Sequence, residues 1–220
     1  MLNLNGSISL LFAIIEFILI LILIKKAARN RVNILSIVLL ILLFLYQTLE
    51  FLICGIGLNS SFIVYLAFLD IGFLPPLALY IVLLYWNNES KLYYILFLPA
   101  LLFGIYYPTV IDKFEAARCT VAYAEYNYPL GFLYGIFYYL PILILIIFLI
   151  FKIRTSDNKN KKYLSKLLLW GYLIAFVPSV LITRLIPGML EAVESILCKF
   201  AFILAIFTVY FVLKNKSESN

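Results

Sequence analysis

The 220-residue chain is 65% apolar and only 13% charged, which is far outside the composition of a soluble globular domain. Its formal net charge of +6 would suit nucleic acid, but the basic residues flank long apolar runs, so we expect a lipid bilayer and no nucleic acid as partner. The chain contains no histidine, which excludes Ser-His-Asp triads, histidine-ligated haem and three-histidine zinc sites. We therefore expect no enzyme.

Seven apolar stretches, each about long enough to cross a bilayer, occupy almost the whole chain. In chain order they are Ile8–Ile24, Val32–Ile56, Phe62–Trp86, Leu92–Ile111, Pro129–Phe151, Tyr163–Ile186 and Met189–Leu213. A hydrocarbon core of about 30 Å needs roughly 20 helical residues, and the stretches lack the alternation of barrel strands. The sequence predicts an all-α integral membrane bundle of seven helices that forms one domain over residues 1–220.

The basic residues predict how the bundle is oriented. Clusters follow the first, fifth and seventh stretches, and thirteen of the 17 lysines and arginines fall on one side. The positive-inside rule makes that side cytoplasmic, so the N-terminus is predicted outside and the C-terminus inside a prokaryotic cytoplasmic membrane. The basic loop 152–166 has two interpretations: it sets topology and contacts anionic lipid, or it docks a cytoplasmic signalling protein.

Two of the three cysteines lie on the predicted outer side of the bundle. Cys54 lies near the outer end of the second helix, and Cys119 lies in the long outer loop Asp112–Tyr128. A disulfide between them is one interpretation, and two unpaired cysteines are the other. Cys198 falls inside the last helix, where we expect it to pack, and the three cysteines match no metal spacing.

Prolines and glycines occur within several of the predicted helices. Prolines lie at positions 75, 76, 99, 141 and 178, where they predict kinks. The pair Gly131 and Gly135 predicts close approach of a neighbouring helix.

Ionisable side chains at membrane depth are costly unless paired or hydrated, so they mark candidate functional residues. Within the predicted spans these are Glu16, Glu50, Asp70, Glu191, Glu194 and Lys199. Counted from the outer ends of four different helices, Glu16, Glu50, Asp70 and Lys199 all fall roughly 9–15 Å deep. The sequence thus predicts one polar layer in the outer half of the bundle.

Three interpretations of this layer stay open. Lys199 neutralises one acid as a buried ion pair, or the residues line a pocket that opens outward, or Lys199 reacts covalently as in retinal proteins. In the second case the acids outnumber Lys199, which favours a cation, a proton or a polar small molecule as ligand. The candidate ligand-binding residues are Glu16, Gln47, Glu50, Asp70, Glu194 and Lys199.

The segments Tyr46–Glu50, Phe68–Tyr80 and Leu83–Tyr85, followed by Leu133–Gly135, resemble the N-terminal seven-helix sensor region of prokaryotic histidine kinases. That resemblance implies a stimulus sensed outside or within the membrane and passed to a cytoplasmic output module. The chain ends at Asn220 without a kinase, so we expect a separate partner protein to supply the output.

The sequence therefore favours a receptor-like sensor that binds a small polar or cationic ligand in an outward-facing pocket between helices. The alternative is a small proton- or cation-coupled transporter. The third hypothesis is a retinal-type chromophore protein that uses Lys199.

Overall fold

The structure is a computed structural model and describes residues 4–88, 90–185 and 192–216. The helices are α1 (Ser7–Lys26), α2 (Arg31–Phe51, continued by a π-helical turn over Leu52–Ile56), α3 (Ser61–Tyr85), α4 (Leu98–Tyr106, between 3₁₀ segments Lys91–Phe97 and Tyr107–Lys113), α5 (Gly131–Thr155), α6 (Lys159–Leu185) and α7 (Val193–Lys214); the strands are β1 (Glu115–Cys119) and β2 (Ala124–Asn127). Seven helical segments are long and apolar enough to cross a membrane, which agrees with the predicted all-α class. The predicted ends at Ile186 and Met189 lie outside the described residues.

The fourth segment departs most from the predicted continuous helix. Only its middle part is α-helical, and tighter 3₁₀ turns lie on both sides. Pro99 and Pro108 each stand in the first turn of a new helical segment. Because proline has no backbone N–H to donate to the preceding turn, each one ends the regular hydrogen-bond ladder. Pro75, Pro76, Pro141 and Pro178, by contrast, lie inside helices that continue past them.

The bundle is arranged around α3, its most buried helix. Helix α3 packs against α2 and α5, α1 packs against α2 and α7, and α6 lies along α7. The apolar outward faces of α1, α4 and α5 remain exposed, as expected for helices that contact lipid. This arrangement brings α1, α2 and α7 together on one side of α3.

A two-stranded hairpin covers one end of the bundle. Strands β1 and β2 pair antiparallel with a bulge between Ala116 and Arg118. Cys119 forms a disulfide with Cys54 in the π-helical turn, so the paired alternative is the one that the structure adopts. The Gly6 N–H also donates to the Thr120 carbonyl (2.9 Å), which ties the hairpin to the start of α1. The long predicted loop is therefore an ordered cap.

Polar contacts tie helices together at the opposite end as well. The Trp86 indole N–H donates to the Ser165 hydroxyl (3.2 Å), and the ammonium of Lys161 lies 5.6 Å from the centre of that ring. The Asn215 amide, just after α7, donates to the side-chain oxygen of Asn33 in α2 (2.9 Å). The end of α7 is thus connected to the start of α2.

Candidate functional site

A buried ion pair joins α7 to α2. The Lys199 ammonium lies 2.7 Å from Glu50 Oε1, and the two side chains are 12% and 1% exposed. A charge removed from water this completely must be neutralised by its neighbours, because desolvation costs several kcal/mol per ion. The pair therefore constrains how α2 and α7 pack against each other.

Neutral side chains complete the hydrogen bonding of this pair. The ammonium donates to Ser9 Oγ and Gln47 Oε1, both at 2.8 Å. Ser9 donates in turn to Glu50 Oε1 (3.0 Å), and Ser195 donates to Glu50 Oε2 (2.9 Å). Three acceptors thus surround a group with three donors. We call these five residues the Lys199–Glu50 network.

The geometry of the Lys199–Glu50 network favours the structural interpretation of Lys199. Its members come from α1, α2 and α7, so the network connects the three helices. The side-chain NH2 group of Gln47 donates to the Cys198 carbonyl of α7 (2.9 Å). A cavity bordered by the neighbouring Cys198 measures only about 50 Å³, far below the roughly 300–1,000 Å³ of typical ligand pockets. The retinal hypothesis therefore gains no support from this geometry.

Glu16 lies beside the network without joining its hydrogen bonds. It is 1% exposed, and within the described part of the chain neither carboxyl oxygen has a hydrogen-bond partner. Lys199 is close enough to interact with it electrostatically. Glu16 follows Ser9 by seven residues on α1, so it lies about 10 Å further along that helix.

Asp70 does not join the Lys199–Glu50 network. It forms no ion pair among the residues described. Its Oδ2 atom is buried and lacks a hydrogen-bond partner within the described ranges. Of the four residues in the predicted layer, the structure therefore pairs Glu50 with Lys199 and gives Glu16 and Asp70 no ion pair among the described residues.

Glu194 borders a much larger cavity at the end of the bundle that carries the hairpin. The cavity measures about 830 Å³, within the usual range for ligand pockets. Its described lining consists of Tyr126, Asn127, Tyr128, Gly131, Phe132, Gly135, Ile136, Tyr139, Leu140, Leu143, Val193 and Glu194. We call it the Glu194 cavity. Gly131 and Gly135 lie at this cavity, where their nearest described neighbours are the Tyr128 and Tyr139 side chains and not another helix of the bundle.

Only one oxygen of the Glu194 carboxyl accepts a hydrogen bond from a described residue. The Tyr128 hydroxyl donates to Oε1, whereas Oε2 is buried and has no partner in the described part of the structure. The side chain as a whole is 2% exposed. Burial, reinforced by the charge of Glu194, raises the pKa of the Tyr128 hydroxyl well above its usual range, so this group stays a donor. The second oxygen is left as an acceptor for an additional donor.

One residue connects the Glu194 cavity to the Lys199–Glu50 network. Ser195 follows Glu194 directly, accepts a hydrogen bond from the Ala124 N–H of β2 (3.0 Å), and donates to Glu50. The first turn of α7 thus contacts the cavity, the hairpin and the ion pair at once. Ser195 and Ser9 were assigned no role from the sequence, because neutral hydroxyls carry no charge signal in an apolar helix.

Comparison with protein-family models, with curated proteins and with solved structures finds no match to this chain. The resemblance to histidine-kinase sensor regions therefore remains a prediction from the sequence segments that carry it.

Proposed function

We propose that this protein is a receptor-like membrane sensor that binds a small cationic ligand in the Glu194 cavity and signals to a separate cytoplasmic protein. The observation that carries the proposal is that Glu194 lines an 830 Å³ cavity, while one buried oxygen of its carboxyl has no hydrogen-bond partner among the described residues. Buried polar groups without partners are rare, and a ligand donor would satisfy this one.

The chemistry of the cavity supports a cation. Glu194 is the only charged residue among those described in its lining. Aromatic rings from Tyr128, Phe132 and Tyr139 border the same space, and their faces attract cations. An anion would meet the Glu194 carboxylate without a described basic residue to offset the repulsion.

The position of the cavity supports sensing from outside. It adjoins the hairpin end of the bundle, which the positive-inside rule assigns to the outer side. The Cys54–Cys119 disulfide is at the same end, and disulfides persist mainly outside the reducing cytoplasm. Two independent properties of the chain thus favour the same orientation.

The route from ligand to output runs along α7 in this proposal. A ligand that binds Glu194 changes the position of the first turn of α7, which Ser195 links to Glu50 and to the hairpin. The other end of α7 contacts α2 through Asn215 and Asn33. The nearby segment 152–166, which the structure forms from the end of α5 and the start of α6, presents exposed basic side chains, including Arg154 and Lys159, to which an acidic surface of a partner could bind.

Removing the Glu194 charge tests the binding step. We expect Glu194→Gln to weaken binding of ethylammonium, a minimal cation with hydrogen-bond donors, by about 10- to 100-fold, because a charge-assisted hydrogen bond contributes roughly 1.5–3 kcal/mol. Affinity is measured by calorimetry on protein in zwitterionic nanodiscs, with empty nanodiscs as reference.

The matched control is Glu115→Gln, which removes an exposed carboxyl from the hairpin at the same end. It changes the surface charge equally and should leave the affinity within about twofold. Equal affinity in wild type and Glu194→Gln, or equal losses in the two variants, would reject the Glu194 cavity as the binding site.

A proton-coupled transporter is the second candidate, and Glu16 is the observation that favours it. A buried carboxyl without a described hydrogen-bond partner, within electrostatic range of Lys199, can exchange a proton with its surroundings. We expect a transporter to carry a potential-driven proton flux in proteoliposomes, and Glu16→Gln to abolish it while Glu115→Gln does not. A pH-sensitive dye inside the vesicles measures the flux. Wild-type flux equal to that of empty vesicles would remove this candidate.

A further inference from the structure

We propose that the Glu194 cavity takes a single-chain amphiphile whose head is a primary ammonium and whose alkyl tail lies along α5. This inference rests on the proposed function and names the ligand class. It follows from three properties of the cavity: an exposed apolar wall, a groove left by glycines, and two lining residues, Glu194 and Tyr139, with buried polar atoms that lack a partner in the described part of the chain.

The apolar wall is a single face of α5. Phe132, Ile136, Leu140 and Leu143 recur at helical spacing and line the cavity. They are 86%, 44%, 48% and 44% exposed, although all four lie in or next to the first half of a span-length helix. In a membrane, an exposed apolar helix face contacts lipid. The cavity is therefore continuous with the lipid-facing surface, and a ligand dissolved in the bilayer reaches it from the side.

Two glycines shape the groove on this face. Gly131 and Gly135 lie one turn apart and carry no side chain to fill the space. A Cβ atom built on Gly135 comes no closer than 3.8 Å to its nearest described neighbour, Tyr139, which is ordinary van der Waals contact. A larger side chain there would thus occupy the groove without clashing with the backbone. From Phe132 to Leu143 the groove follows α5 for about 16 Å, which suits a medium-length alkyl chain.

The polar atoms of the cavity lining determine which head group the amphiphile needs. Glu194 Oε2 and the Tyr139 hydroxyl are both buried without a partner among the described residues, and the charge of Glu194 reaches Tyr139. A primary ammonium carries a positive charge and three donors, so it can neutralise the carboxylate, donate to its free oxygen and still have donors for another oxygen of the lining. A quaternary ammonium has the charge but no donor. Alkyl carboxylates and sulfates would place a second negative charge beside Glu194.

The experiment compares amines of different chain length in zwitterionic nanodiscs, with concentrations corrected for partition into empty nanodiscs. We expect decylammonium to bind wild-type protein at least tenfold tighter than ethylammonium, because the groove buries the extra methylene groups. Decyltrimethylammonium should bind at least tenfold more weakly than decylammonium, and decyl sulfate should not bind.

A variant that fills the groove tests the contribution of the alkyl tail separately from that of the ammonium head group. Gly135→Leu is expected to weaken decylammonium binding at least tenfold, whereas Ile147→Phe, a bulky change on α5 outside the described cavity lining, should change it less than twofold. Glu194→Gln should weaken the binding of both ethylammonium and decylammonium.

The outcomes are distinguishable. If ethylammonium binds and depends on Glu194, but chain length and Gly135→Leu have no effect, the amphiphile inference fails and the proposed function stands. If decyltrimethylammonium binds as tightly as decylammonium, the primary-ammonium assignment fails. If no amine binds, both proposals fail.

Discussion

Replacement of Lys199 by methionine is expected to lower the free energy of unfolding by about 3–5 kcal/mol, the usual cost of removing one partner from a buried ion pair. Glu50 is 1% exposed and accepts its only charged hydrogen bond from Lys199 among the described contacts. The variant leaves a carboxylate with two hydroxyl donors and no counter-charge. Equilibrium unfolding in mixed detergent micelles measures the loss.

The double variant Lys199→Met/Glu50→Gln separates the cost of the unpaired charge from the cost of lost packing. It removes both charges and keeps an amide whose oxygen accepts from one of the two serines, Ser9 and Ser195, while its NH2 group donates to the other, so we expect it to recover more than half of the loss. Arg118→Met is the matched control, since it removes one partner of an exposed pair with Glu125 (3.6 Å) and should cost at most about 1 kcal/mol. Equal losses for Lys199→Met and Arg118→Met would contradict a buried network.

The helices could be predicted because each span needs about twenty apolar residues, and that requirement is visible in the sequence. The fourth segment differs because Pro99 and Pro108 interrupt its hydrogen-bond ladder, an effect that hydropathy alone does not measure. The hairpin from Glu115 to Asn127 was predicted only as a polar aromatic loop. Its strands are short, and a disulfide and contacts with α1 and α7 hold them in place, none of which depends on local propensity.

Depth could be counted from the sequence, but the direction of each side chain could not. Successive residues of a helix point about 100° apart, so a small error in helix rotation moves a side chain to another face. Glu50 and Lys199 meet in an ion pair. Asp70 was assigned to the same layer, yet it forms no ion pair with any described residue. The Glu194 cavity could not be predicted either, because its lining comes from the hairpin loop, α5 and α7 together.

The first turn of α7 is the point where the two sites meet, which gives a physical basis for signalling. Glu194 belongs to the cavity, Ser195 to both the hairpin contact and the network, and Lys199 to the ion pair one turn further along. A ligand that pairs with Glu194 therefore acts on the same helical turn that orients Glu50. A ligand changes the conformational equilibrium only through such differential contacts.

Removal of the Cys54–Cys119 disulfide is expected to cost about 2–4 kcal/mol, because the bond closes a loop with a sequence separation of 65 residues and restricts the unfolded chain. The variant Cys54→Ser/Cys119→Ser also frees the hairpin at its link to α2. The Ala124–Ser195 hydrogen bond, the Gly6–Thr120 contact and the two hydrogen bonds between Asn59 and Ala116 remain to hold it. Unfolding in mixed micelles, with and without dithiothreitol, measures the effect.

The free energy of unfolding is compared with and without dithiothreitol to isolate the contribution of the disulfide. Reduction should destabilise the wild-type protein to about the level of the double serine variant and leave that variant unchanged. Cys198→Ala, at the free and buried cysteine, should keep full sensitivity to the reductant. If the wild-type protein is equally stable with and without dithiothreitol, although mass analysis proves the bond reduced, the hairpin does not depend on the disulfide. The contacts of Gly6, Asn59 and Ser195 with the hairpin backbone would then be sufficient to hold the cap over the Lys199–Glu50 network.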